Sequence, residues 1–230
     1  MAFSAQQTKR MQVAILIVAG VVVAVLAIAV FSGALVPASS STTAQDGAAA
    51  QQNQGSASGT TSSEAHDMTH VDANYEGTVE QLQAQYDADP SNPSALLKLA
   101  NGYFDWGAAA LQVAETDEDN AHVVDLFNQA IARYDDYLAD NPDSKSVEVD
   151  RAICIFYTGD TDRAIATLED FVAADDSFGP AWANLGMFYE NAGRTDDARG
   201  AYECAIEADA DDAFGVRTYA QGRLDALDGE

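Results

Sequence analysis

The sequence predicts an all-α chain in three parts: an N-terminal transmembrane helix, a disordered tether, and an array of about three paired-helix repeats closed at each end by a half-repeat. Three observations predict it. Residues 13–36 form an apolar run free of charge, the stretch up to residue 72 carries almost no large apolar side chain, and the remainder repeats with a 34-residue period.

The apolar run begins at Val13, ends at Val36 and contains no charged residue. As a helix it spans roughly 36 Å, enough for a hydrocarbon layer of about 30 Å. Lys9 and Arg10 lie in the short segment 1–12 before it, and the next cation is Lys98. Cations stay on the cytoplasmic side, so residues 1–12 are expected in the cytoplasm and the repeats outside, on a single-pass protein of the cytoplasmic membrane. A cleaved signal peptide is the rival reading, with the small residues Val36 and Ala38 at the cut. Its apolar region usually runs only about 7–15 residues, which favours the retained anchor.

All 37 acidic residues follow the apolar run, whereas Lys9 and Arg10 precede it and leave 9 of the 11 cations, for a formal charge of −28 outside. Nucleic acid and anionic lipid are therefore poor partners. The acidic excess by itself reads as a solvated surface and names no ligand. Cys154 and Cys204 fall at different repeat positions and read as small buried apolar residues rather than a disulfide.

Residues 37–72 are rich in Ser, Thr, Ala, Gln and Gly and cannot bury enough surface to order themselves. As a tether they give a root-mean-square reach of roughly 30–35 Å. The repeat domain is expected over residues 73–230.

Within it, Gly159 and Gly193, Ala164 and Ala198, and Leu168 and Tyr202 are each separated by 34 residues. The last repeat, 179–212, reads Trp182, Leu185, Gly186, Tyr189, Ala198, Tyr202, Ala205. That spacing gives two antiparallel helices: Trp182, Leu185 and Tyr189 make one apolar stripe, Gly186 and Ala198 permit close approach, and Gly193 supplies the turn. The middle repeat, 145–178, has Glu148 and Arg151 where the last has Trp182 and Leu185, so its first helix is expected to pack less well. The first, 93–144, holds Leu96, Leu99, Ala100, Tyr103 and Gly107, but the interval from Gly107 to Ala130 is 18 residues longer than its counterpart. The extra residues must loop out or lengthen both helices before an acidic tip at residues 115–119. Residues 75–88, with Val79, Leu82 and Tyr86, read as a half-repeat, and 213–227 as a capping helix.

This pattern resembles the tetratricopeptide repeat family, most strongly in the last repeat. The resemblance implies an α-α superhelix whose inner wall, built from the first helix of each repeat, holds a protein or peptide. Carried onto matching positions, it nominates Lys98, Asn101, Asp105, Asp150, Asn184, Met187, Glu190, Asn191 and Arg217. Some members grip a C-terminal carboxylate with Lys, Asn and Arg; here Lys98 and Asn101 match, but the middle repeat offers Asp150 and no cation. Such a groove suits a peptide with some positive charge.

Nothing in the sequence suggests an enzyme or a cofactor: there is no Gly-x-Ser-x-Gly, His-Glu-x-x-His or phosphate-cradling loop. His66 and His70 are spaced to share a metal on a helix, but they lie in the stretch read as tether. The Asp-rich segments 140–143 and 209–212 lack a calcium-loop pattern and suit turns and helix caps. Phe156, Tyr157, Phe188 and Tyr189 fall at core spacing. The expected role is a membrane-held scaffold or adaptor in protein export or envelope-complex assembly, the alternatives being an assembly factor for c-type cytochromes or a self-associating structural protein.

Overall fold

In the computed structural model the described residues are 67–229; the expected cytoplasmic segment, the 13–36 anchor, residues 37–66 of the tether and His66 lie outside them. Among the described residues there are eight α-helices: α1 Met68–Ala88, α2 Pro93–Val113, α3 Asp117–Asp140, α4 Lys145–Tyr157, α5 Thr161–Ala174, α6 Gly179–Asn191, α7 Thr195–Ala208 and α8 Val216–Asp228. No helix among them is long and apolar enough to cross a membrane.

Local chemistry fixes the boundaries. Asn92 accepts from the backbone N–H groups of Ser94 and Ala95 at 3.0 and 3.3 Å, with Pro93 in the first turn, so α2 starts there. Thr116 and Asp119 form a reciprocal capping box that starts α3. Gly159 and Gly193 end α4 and α6 with φ of 90° and 75°, a conformation in which a side chain is strained, which is why glycine recurs one period apart.

Two expectations are corrected. The first helix begins at Met68, inside the stretch read as tether, with Asp67 accepting from the His70 backbone at 3.0 Å as its cap. Val71 is buried there, Met68 and Tyr75 pack on the core, and Asp72 bonds to Trp106, so tertiary contacts order a segment whose composition alone is too polar. The first helix of the middle repeat also packs fully: Val147, Val149, Ala152, Ile153, Cys154, Ile155 and Phe156 are buried. Glu148 and Arg151 do not weaken it because they sit at its half-exposed margin, where Arg151 pairs with Asp135 of α3.

The long interval in the first repeat lengthens both of its helices. They run 21 and 24 residues against 13 and 14 in the last repeat, and meet at a tip of residues 114–116. The 21-residue α1 lies along this hairpin.

The core is a column of small residues and rings. Ala100, Ala152 and Gly186 of the first helices and Tyr134, Leu168 and Tyr202 of the second are all buried, and Gly186 lies against the Tyr202 ring. A Cβ on Gly186 would sit 2.6 Å from Tyr202 Cε1, so a hydrogen is all that fits. Phe156 stacks on Phe188 with centroids 4.5 Å apart, and Phe127 on Tyr157 at 5.1 Å, linking successive repeats. Cys154 is buried and Cys204 half-buried, the latter more exposed than expected; both are free thiols.

The candidate peptide-binding groove

The first helices lie on the inner side of the stack: α4 packs on α6 and α6 on α8, in addition to each helix's packing on its sequence neighbour. The resemblance implies that the first helices line a concave wall, with α5 and α7 on the convex side. Helix pairs one 34-residue period apart, with Gly186 of α6 against the Tyr202 ring of α7, decide the architecture. The described residues form an array of paired antiparallel helices, the architecture that the resemblance to the tetratricopeptide repeat family implies.

The chain is similar in fold to solved structures. The MamA crystal structure matches with 21% identity and a TM-score of 0.46 over 71% of this chain and 92% of that one. TTC0263, a thermophilic tetratricopeptide-repeat protein of Thermus thermophilus, matches with 20% identity and a TM-score of 0.44 over 68% and 93%. A double mutant of MamA RS-1 matches with 14% identity and a TM-score of 0.45 over 68% and 86%. No protein-family model and no curated protein matches the sequence.

The array separates the nine nominated residues into three groups. Lys98, Asn101 and Asn191 are exposed, and Asp105 and Asp150 half-buried. Asn184 and Met187 are buried, at 8% and 7% exposure, and Asn184 donates to the Pro180 carbonyl at 2.8 Å, so both support the wall from behind. Glu190 and Arg217 are already engaged. Arg223 of α8 donates to both Glu190 carboxylate oxygens, at 2.5 and 3.0 Å, and the Tyr202 hydroxyl donates to the same carboxylate. Arg217 donates to the Ala210 carbonyl at 2.6 Å, which holds the loop before α8.

At the α2–α4 end the groove is acidic. Neither Asp105 nor Asp150 makes a hydrogen bond or ion pair with a described residue. Burial raises the Asp105 carboxyl above the ordinary range. Burial, then the charge of Asp105, pushes Asp150 up to about 7. Tyr134 donates to Asn101 Oδ1 at 2.8 Å; burial, then the charge of Asp150, pushes its hydroxyl well up. Burial, then the charge of Asp105, raises the phenol of Tyr75 in α1.

Cations that sequence neighbours could have supplied point elsewhere. Arg151 pairs with Asp135, and Lys145 with Asp175, whose carboxyl the lysine's hydrogen bond draws down to about 2. Arg133 lies 6.0 Å over the Tyr103 ring.

Sequence reasoning missed Tyr75, Tyr134 and Arg223. A signal for two of them exists: Asn101 and Tyr134, and Glu190 and Arg223, are each 33 residues apart, one position short of the repeat period. Of the Asp-rich segments, 209–212 acts as a cap. Asp209 is 4% exposed and accepts from the backbones of Phe214 and Val216 at 3.2 and 3.1 Å, and Asp212 from Thr218 at 3.1 Å. No group of residues spaced to hold a metal ion occurs among the described residues.

Proposed function

We propose that the protein is a membrane-anchored adaptor whose concave groove binds a protein or peptide at the outer face of the cytoplasmic membrane, in protein export or in assembly of an envelope complex. The observation that carries this reading is a wall of polar side chains left uncommitted: Lys98, Asp105 and Asp150 have no partner among the described residues, on a rigid helical scaffold. Residues 13–36 supply the anchor, and residues 37–66 the reach that raises the effective concentration of array and partner near the membrane.

The test is photo-crosslinking from Lys98 or Asn191 in intact membranes, with Glu203 on the exposed, convex side of α7 as the control position. Specific proteins captured from the groove and absent from the convex control support the adaptor. Identical capture from both faces sinks it.

A further inference from the structure

We infer that α1 is a strap whose hold on the α2–α3 hairpin is set by electrolyte, docked at high ionic strength and released as one unit in dilute solution. The switch belongs to the array itself and does not depend on the groove binding a partner.

α1 is lightly fastened. Of its 21 residues only Val71 and Val79 are buried, against seven buried in α2 and six in α3. Its closest apolar contact is at Gly102 of α2, where an added Cβ would lie 2.8 Å from Leu82 Cδ1 and 3.4 Å from Val79 Cγ2. Its polar tie is Asp72, which accepts from the Trp106 indole at 2.8 Å and lies 3.0 Å from His122 Nε2.

Charge opposes this docking. α1 carries Asp72, Glu76, Glu80 and Asp87 and no Lys or Arg, and the two helices it lies along carry eight acidic residues against Lys98 and Arg133. Among the described residues neither cation pairs with a carboxylate of α1; Arg133 lies over the Tyr103 ring instead. Glu76 and Glu80, both exposed and one turn apart, also repel each other within the helix.

The cap at the other end of the array has the opposite design. α8 buries as little, only Val216 and Ala220, but ion pairs hold it: its Arg223 to Glu190 of α6, and its Asp228 to Arg199 of α7. Screening therefore acts with opposite sign on the two caps. The range of a charge falls from about 30 Å at 0.01 M salt to about 3 Å at 1 M, so added salt removes repulsion from α1 and attraction from α8. The contact at Gly102 and the bond from the neutral Trp106 indole need no second charge, and they hold α1 once the repulsion is screened. Released, α1 uncovers α2 around Gly102 and frees Trp106 and His122.

The experiment follows hydrogen exchange, resolved by peptide, in the full-length protein in non-ionic detergent micelles at constant pH, with sodium chloride raised from about 0.01 M to about 1 M and rates referenced to the unfolded chain at each salt. Exchange over residues 75–86 is expected to slow about tenfold while exchange over 218–227 stays the same or quickens. Glu76→Lys combined with Glu80→Lys exchanges two helix formers for others, and should give α1 its high-salt protection already in dilute solution, with the salt response lost or reversed. No salt effect on α1, equal slowing of both caps as general salting-out would give, or a Lys variant that keeps the parent's response would each overturn the strap.

Discussion

The carboxylate of Asp72 accepts a hydrogen bond from the indole N–H of Trp106 at 2.8 Å, 34 residues further along the chain. The same oxygen lies 3.0 Å from His122 Nε2, and the His122 and Trp106 rings meet edge to face at 5.7 Å. One half-exposed side chain thus ties α1 to both helices of the extended hairpin. Asp72→Ala leaves the indole and imidazole without their acceptor and is expected to cost about 1–2 kcal/mol, borne mostly by α1. Hydrogen exchange resolved by peptide should show faster exchange over residues 68–80 with α4–α7 unchanged; protection of α1 equal to that of the parent would contradict this.

Gly186→Ala tests the closest approach in the core. Tyr202 Cε1, Cδ1 and Cζ would all lie within 2.9 Å of the new Cβ, and the Tyr202 hydroxyl is held by Glu190, so the ring cannot swing clear without breaking that bond. Overpacking of this kind costs about 1–3 kcal/mol, more than alanine's helix-propensity advantage of up to about 1 kcal/mol. The expected outcome is a net loss of stability in thermal melts.

Asp150 predicts an acid-favoured stability component. Its ordinary value is 3.8 and the folded value about 7, so the folded state binds the proton more tightly. The contribution is complete below the unfolded value, declines as pH rises between the two, and is gone above about 7. Asp150→Asn should therefore flatten the stability curve between these values and stabilise the protein at pH 8 by about 1–2 kcal/mol, after discounting for solvent reaching a half-buried group. Chemical denaturation across pH reads this, and an unchanged slope would remove Asp150 as its source.

Arg223→Met keeps the aliphatic stem of a side chain only 21% exposed, but strands Glu190, whose side chain is 17% exposed, with only the Tyr202 hydroxyl. A loss of about 2–3 kcal/mol is expected, with α8 releasing first. Glu190→Gln combined with Arg223→Met should recover part of the loss, since the stranded charge is gone.

The repeat period and the paired helices are legible because they rest on spacing. Gly159, Gly193 and the Gly186–Tyr202 contact follow from residues 34 apart or within one hairpin. Two features were not legible for the same physical reason: they depend on what packs against a segment. The helical stretch 68–72 reads as tether until the extended hairpin supplies Trp106 and His122 to receive Asp72. Glu148 and Arg151 read as defects in a core helix until Val147, Val149 and Ile153 are seen buried beside them. The nine nominated residues fall on α2, α4, α6 and α8, but repeat position could not separate exposed Asn191 from buried Asn184, nor foresee that Glu190 is paired with Arg223. That distinction depends on a cross-repeat partner.

The most direct test of the groove is the affinity of a protein captured by crosslinking, measured for the full-length protein against two double variants of equal charge change: Asn101→Arg with Asp105→Arg inside the groove, and Glu203→Arg with Glu207→Gln on the exposed face of α7. Thermal melts confirm that each variant is folded. Binding weakened at least tenfold, about 1.4 kcal/mol, by the groove pair and left unchanged by the α7 pair is the predicted result. Equal weakening by both, or loss only with the α7 pair, would contradict recognition through the concave wall.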